Sequence, residues 1–407
     1  MSRPRRVLMV IENDVAPLDT RVWGEAVALR DHGLQVSIIC PKGVMGRSVF
    51  ERFRAPYECR DGIYIYRYER PDGSTTAAYV REYLVALLNT VRLSLKVLIR
   101  HNFDVLHVAN PPDIFFPLGW FCHLLGKKFV FDQHDLAPEV FQELFASRGN
   151  GPSARLLLKL LRMCERYSYR AADLVIAANE SFRQIAIERG SCPAHKVAVV
   201  RNASALPQEN IAAPPHALKL GRRYLLAYVG VMGVQDGVQY ALNALHKLVY
   251  ERGRQDVSLA LIGDGDDVPA LRTLACELRL AEYVTFTGWM TGQDVAQCLA
   301  SADVGLSPEP RNALNERSTM MKIMDYMTMG LPVVAFDLAE TRFSAQGAGL
   351  YATPNSVDDF ANKVELLLNS EALRLSMGGA GRMRAQGPLS WESSRERLWQ
   401  AYDGLLR

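Results

Sequence analysis

The residues best suited to chemistry lie in one stretch, Leu314–Ala335, which reads LNERSTMMKIMDYMTMGLPVVA. Val333–Ala335 has the look of a short buried strand, and Gly330 and Pro332 punctuate the helix before it. That helix is expected to begin near Ser318, whose hydroxyl is of the type that caps a first turn. Its opening amides, around Ser318 and Thr319, would then favour an anion through their unpaired N–H groups and the helix dipole. Lys322 and Asp325 stand at i and i+3 and project from one helix face. A cation near the helix start and a carboxylate one turn later suit a diphosphate followed by a ribose. The carboxylate can accept from both ribose hydroxyls, at about 1.5–3 kcal/mol per charge-assisted bond. An ordinary amphipathic helix with surface charges is the plainer alternative.

Those residues need a scaffold to position them. The chain has 407 residues, of which 49% are hydrophobic and 22% charged, the balance of a globular protein with more than one core. Disorder, collagen-like repeats and a small disulfide scaffold are excluded by that balance. A net charge of +3 gives no bulk reason to expect a nucleic-acid partner. The seven cysteines are odd in number and contain no C-x-x-C pair, which predicts reduced thiols and no metal site. The apolar run before Glu12 is short for a signal peptide, and no stretch has the length of a membrane span, so a cytoplasmic protein is expected.

Short β-branched runs alternate with helical patterns along the whole chain, which predicts α/β architecture with parallel sheets. Strands are expected at Val7–Ile11, Val36–Cys40, Ile63–Tyr66, Val105–Val108, Phe129–Phe131, Leu174–Ala177 and Val197–Val200, with helices between them. The segment Asn202–Gly221 carries three prolines and no clear period, and reads as a linker. Alternation then restarts at Leu225–Val229 and continues to a last helix, Trp391–Leu406. The expected layout is therefore a doubly wound domain over 1–203, a linker over 204–222 and a second such domain over 223–388. A helix within 389–407 is expected to cross back to the first domain. Two such domains would leave a cleft, and open α/β sheets bind ligands at the carboxyl ends of their strands.

With these motifs in place, the chain resembles the GT-B glycosyltransferases, in particular the retaining enzymes of family 4. The block Asp325-Tyr326-Met327-Thr328-Met329-Gly330-Leu331-Pro332-Val333-Val334 is similar to that family's E-A-M-A-x-G-x-P-V-V segment. The resemblance implies that Asp325 holds the donor's ribose. The family's other carboxylate stands eight residues earlier, where this chain has Arg317, and Glu316 one place before it is assigned that role near the donor sugar. By the same resemblance, His134 in Phe131-Asp132-Gln133-His134-Asp135-Leu136 contacts the transferred sugar. Asp19-Thr20-Arg21 faces the acceptor, and main-chain groups around Trp289 and Met290 read the base. The implied activity is transfer of a sugar, with retention, from a nucleotide-diphosphate-sugar to a saccharide or lipid-linked acceptor. Glycoconjugate or polysaccharide assembly is the implied setting, and no metal or other cofactor is implied.

One departure from the family bears on the donor. Its diphosphate is commonly gripped by an Arg and a Lys on a glycine loop, but this chain reads Gly230-Val231-Met232-Gly233-Val234-Gln235-Asp236-Gly237 there. Burying an uncompensated diphosphate is prohibitive. Arg317, Lys322 and Arg201 are expected to supply the charge, aided by the Gly233 main chain. Rival readings are a GT-B-like nucleotide-sugar epimerase or hydrolase, and a sugar- or partner-binding protein that has lost catalysis. Asp264-Gly265-Asp266 reads as a turn rather than a metal site. Finally, Arg155, Lys159, Arg162, Arg166 and Arg170 fall on one helix face. Arg81, Arg92, Lys96 and Arg100 share another, opposite Leu84, Leu87, Leu88, Val91, Leu95 and Leu98. Each is either a solvated face over a buried apolar one or a contact for an anionic membrane surface.

Overall fold

The computed structural model describes residues 4–43, 52–71, 76–145, 151–207, 211 and 216–407. The chain divides into two compact units, Met1–Arg201 with Ser394–Arg407, and Asn202–Ser393.

The first unit holds an eight-stranded sheet in the order β3-β4-β2-β1-β5-β6-β7-β8. Its strands are β1 (Arg6–Val10), β2 (Gln35–Pro41), β3 (Tyr57–Arg60), β4 (Ile63–Tyr68), β5 (Val105–Ala109), β6 (Lys128–Gln133), β7 (Leu174–Ala177) and β8 (Val197–Val199). All pair in parallel except β3, which runs antiparallel to β4. β1, β5 and β6 are buried along nearly their whole length, as expected of strands covered on both faces. The helices are α1 (Thr20–Asp31), α2 (Thr76–Arg100), α3 (Phe116–Leu124), α4 (Ala137–Phe145), α5 (Pro152–Ala171) and α6 (Glu180–Glu188).

The second unit is a wholly parallel six-stranded sheet, β11-β10-β9-β12-β13-β14. These strands are β9 (Tyr224–Val229), β10 (Val257–Ile262), β11 (Val284–Gly288), β12 (Val304–Ser307), β13 (Val333–Phe336) and β14 (Gly349–Ala352). Its helices are α7 (Val238–His246), α8 (Val268–Glu277), α9 (Gly292–Ala300), α10 (Met321–Met329), α11 (Ala339–Ala345), α12 (Val357–Asn369) and α13 (Glu371–Gln386). One core, around Leu226, Leu259, Leu306, Phe336 and Phe360, covers one face of the sheet. The other, around Leu225, Ala260, Ile323, Tyr326 and Met327, covers the opposite face, as strand alternation requires. The last helix, α14 (Trp391–Leu406), enters the first unit from Ser394 onward, where Trp399 donates to the Ala28 carbonyl at 2.7 Å.

Several expectations change here. Strands β3 and β14 and helices α4 and α11 are elements that the periodicity did not mark. The stretch read as a linker lies partly outside the described residues, at 208–210 and 212–215. Its described part is not free chain: Leu218 is buried in the second unit's core, and Leu206 and Ile211 pack on it. The apolar residues of α2 are also placed differently from the sequence reading. The helix buries Ala86, Thr90, Leu93, Ser94 and Val97, and leaves Leu84, Leu88 and Leu95 exposed.

Candidate functional site

In the first unit, the strands' carboxyl ends gather a buried charge network. Asp132, the fifth residue of β6, is fully buried between Arg21 and His134. Arg21 Nη2 donates to its Oδ1 at 2.8 Å, and His134 Nε2 meets its Oδ2 at 2.5 Å. Arg21 also reaches Glu25 at 3.2 Å and donates to the Val200 carbonyl at 2.9 Å. His107 of β5 lies 3.4 Å from Asp132 and 3.5 Å from Glu25, and its Nδ1 meets the Tyr402 hydroxyl of α14 at 2.6 Å. Two buried carboxylates thus share one guanidinium, and they split. Burial and the neighbouring Asp132 push Glu25 well above the usual carboxylate range. Asp132 is held well below it: burial acts upward, but Arg21 and His134 outweigh that.

The His134 loop is braced by a fully buried residue, Asn110. Its Oδ1 accepts from the amides of His134 at 2.6 Å and Asp135 at 3.1 Å, while its Nδ2 donates to Asp113 and to the Asp135 carbonyl, both at 2.8 Å. His134 keeps a partly accessible side chain at this strand end. The acceptor-facing assignment of Asp19-Thr20-Arg21 fares differently. Asp19 caps α1, accepting from the Val22 amide at 2.7 Å, and Arg21 is buried in the Asp132 network; Thr20 alone is exposed. Capping and charge burial use up the first and third residues. Arg201 is buried at the end of the first unit's main segment, whereas the other residues expected to bind the donor lie in the second unit.

In the second unit, the chain reverses direction across the sheet between β9 and β12, the place where open α/β sheets bind ligands. Lys322, one residue into α10, extends to this point and is nearly fully buried. Its ammonium donates to Glu309 and to the Tyr228 hydroxyl at 3.3 Å, and lies 4.0 Å from Asp236. Burial pulls the Lys322 ammonium down, yet Glu309, with Tyr228 and Asp236, keeps it well above its ordinary range. Ser307 donates to the other Glu309 oxygen at 2.5 Å. The glycine loop makes room for this: a Cβ on Gly230, at φ +139°, would stand 3.3 Å from Lys322 Cε. The Lys322 ammonium of α10 thus lies beside the glycine loop that follows β9.

Asp325 follows one turn later and accepts from the Ser204 hydroxyl at 2.6 Å. Burial raises its carboxyl to about 6, against the lowering effect of that hydrogen bond. Four expectations need correction or relocation. The helix starts at Met321 with Met320 as its cap residue, and the Ser318 hydroxyl lies before it, donating to the Leu314 carbonyl at 2.9 Å. The Gly233 amide is taken by Asp236 at 3.0 Å, so it is not a spare donor. Glu316 pairs with Arg311 at 2.9 Å at the surface, outside the hydrogen bonds of the Lys322 cluster. Arg317 is exposed and donates to the Ala313 carbonyl at 3.1 Å. Thr319 is half-buried just before α10, Trp289 is exposed after β11, and Met290 packs against the core with its sulfur 3.6 Å from Cys298 Sγ. Asp264 accepts from the Gly265 amide at 2.9 Å, as a turn residue does.

Glu309, Tyr228, Asn110 and Ser204 were missed in the sequence. Glu309 carried a usable signal, since it stands two residues past the end of a buried strand in a sheet whose strand ends bind ligands.

Two parallel-sheet units, each with polar residues concentrated at strand carboxyl ends, define the GT-B class of protein. The chain belongs to the group 1 glycosyl transferases: residues 223–370 match the model described as "Glycosyl transferases group 1", and residues 18–203 the "Glycosyl transferase 4-like domain". Together the matches span about four fifths of the chain. Sucrose-phosphate synthase from Thermosynechococcus elongatus has the same fold, with a TM-score of 0.76 at 16% identity over 99% of both chains. The alpha-D-kanosaminyltransferase of Streptomyces kanamyceticus is 25% identical over 54% of this chain and 57% of its own length. The GDP-mannose-dependent alpha-(1-6)-phosphatidylinositol monomannoside mannosyltransferase of Mycobacterium tuberculosis is 27% identical over 44% of this chain and 47% of its own. The chain spans about half the length of these curated relatives.

Proposed function

We propose that the protein is a retaining, family 4 glycosyltransferase that takes a sugar from a nucleotide-diphosphate-sugar. The observation that carries this reading is the placing of Lys322 and Asp325, one turn apart on α10, at the switch point of the second sheet. Asp325 exchanges its Ser204 partner for the donor's ribose hydroxyls, and Lys322 faces the diphosphate with help from Arg317 and the opening amides of α10. Glu309 holds the Lys322 ammonium in place, a positioning task that the surface pair of Glu316 does not serve. His134, held by Asp132, contacts the transferred sugar. Charge grows on the departing diphosphate as the bond to the sugar breaks, and preorganised cations stabilise it there.

No metal is needed in this reading. The described residues contain one group of potential ligands, Glu25, His107 and Asp132. Arg21 already occupies its carboxylates, and a buried guanidinium there opposes a second cation. The acceptor is a saccharide or a lipid-linked one, in glycoconjugate or polysaccharide synthesis; the mycobacterial relative's name specifies a phosphatidylinositol-based acceptor. No described helix is long and apolar enough to cross a membrane, and the seven cysteines are free thiols. Both fit a cytoplasmic enzyme working at an anionic membrane surface.

The test is thermal unfolding with UDP, GDP, ADP and their sugars, with and without magnesium. A ligand at 100 times its Kd adds about 2.7 kcal/mol to stability. Stabilisation by one nucleotide family, independent of magnesium and lost in Asp325→Ala, supports the reading. A second reading, a binding protein that has lost its donor, draws on the Lys322 charge being already matched by Glu309 and Asp236. Absence of stabilisation by every ligand selects it.

A further inference from the structure

Two helices of the first unit are turned outward. α2 packs on β1 and β2 and buries Ala86, Thr90, Leu93, Ser94 and Val97. The hydroxyls of Thr90 and Ser94 are hidden there without a hydrogen-bond partner. On the opposite side of the helix, at 100° per residue, stand Leu84, Leu88, Leu95 and Ile99, all exposed and the last 84% so. α5 repeats the arrangement, burying Glu165, Ser168 and Tyr169 while exposing Leu156, Leu160 and Met163. Between them α3 exposes Trp120, Phe121 and Leu124, and Trp120 packs edge-on against Tyr167 of α5 at 5.8 Å.

These rows share one face. The connections β4 to β5, β5 to β6 and β6 to β7 all move in the same direction along the sheet. Right-handed crossovers then put α2, α3 and α5 on the same side of it. Beside the apolar row of α5 runs a basic one, Arg155, Lys159, Arg162, Arg166 and Arg170, every member exposed. None of the five forms a salt bridge within 4 Å among the described residues, although Arg162 acts at longer range on the buried Glu165 carboxylate. Arg92, Lys96 and Arg100 flank the α2 row in the same way.

Water gives a helix no reason to bury serine and threonine and to show leucine. An apolar row flanked by cations is the pattern of helices that lie in a membrane interface, with the apolar side at the acyl boundary and the cations at the headgroups. We propose that the α2–α3–α5 face docks on a bilayer carrying anionic lipids. The leucines and Trp120 enter the headgroup region, and the α5 basic row meets lipid phosphates or carboxylates. A second copy of the chain would also cover the leucines, but it would bring two unneutralised basic rows together, which like-charge repulsion opposes. The inference deepens the acceptor side of the proposed function and names the surface that serves it.

The test is flotation of the full chain with vesicles of phosphatidylcholine alone and with about a third phosphatidylglycerol. Binding is expected to the anionic vesicles only, and to fall as salt rises toward 0.5 M. Each basic residue near the surface is worth about fivefold in partitioning, so Arg155→Glu/Lys159→Glu/Arg162→Glu should lower it at least a hundredfold. Leu88→Ser/Leu160→Ser should weaken it at any salt. Both variants should keep the thermal stability of the parent and its response to nucleotides, which separates this surface from the donor site. No binding to anionic vesicles, or binding that neither variant alters, overturns the proposal. So does a dimer in sedimentation that the serine variant dissociates.

Discussion

Lys322 and Glu309, thirteen residues apart in the chain, meet as a buried ion pair against the Tyr228 hydroxyl. The pair joins α10 to the end of β12 where the second sheet reverses direction. It sets the Lys322 ammonium beside Gly230 in the glycine loop after β9.

Breaking this pair from either side should be expensive. Lys322→Met or Glu309→Gln leaves a buried charge unmatched and is expected to lower stability by about 3–5 kcal/mol in urea unfolding. The double change Lys322→Met/Glu309→Leu should recover most of that loss. Equal destabilisation by the double and single variants would show that the two charges do not act as a pair. Glu316→Gln, at an exposed pair, should move stability by less than about 1 kcal/mol.

Asp325 should give opposite signs for stability and for binding. Its carboxyl is raised to about 6, so its ionisation disfavours the folded state. The protonated form's contribution is complete below the unfolded value near 4 and is lost as pH rises through about 6. Asp325→Asn should therefore gain stability relative to the parent across that window. The same variant should bind nucleotide more weakly above pH 6, where the ionised carboxylate accepts from the ribose. Calorimetry of UDP or GDP binding at pH 5 and 7.5 checks this, and an Asn variant that binds as tightly at pH 7.5 would remove Asp325 from the site.

His134 and Asp132 should separate chemistry from folding. His134→Ala leaves Arg21 and Asp132 paired, so stability should fall by about 1.5–3 kcal/mol, the scale of one bond to a buried carboxylate. Turnover should drop by about 100-fold, the scale of one lost transition-state contact. Asp132→Asn leaves the buried Arg21 facing Glu25 alone and should cost about 3–5 kcal/mol. A His134→Ala variant with unchanged turnover on a nucleotide-sugar panel would sink its assignment.

Asn110 is expected to act through the His134 loop. Asn110→Ala strands two buried amides and should destabilise by about 1–3 kcal/mol for each. Hydrogen exchange at His134 and Asp135 should speed up while β1 and β5 stay protected. Unchanged exchange at those amides would mean that the brace is not needed.

Much was legible in the chain itself. Alternating β-branched and helical runs disclosed two parallel sheets, because burial on both faces forces such strands to be apolar throughout. The Asp325–Val334 block pointed to α10 and its carboxylate because a helix, a glycine stop and a buried strand follow one another locally. His134 was singled out for the same reason, at a strand's end. What lay beyond local pattern was pairing. That Glu309 answers Lys322, that Asp236 occupies the Gly233 amide, and that Arg21 turns inward to Asp132 are decided by strand order. So is the side of α2 that faces water. Its periodicity shows an apolar row and a polar one, but small residues fit closer to the sheet, and only the packed structure shows that Thr90 and Ser94 go in beside Leu93 while Leu84, Leu88 and Leu95 face out. Helical period fixes which residues share a face; which face is buried depends on the surface it meets.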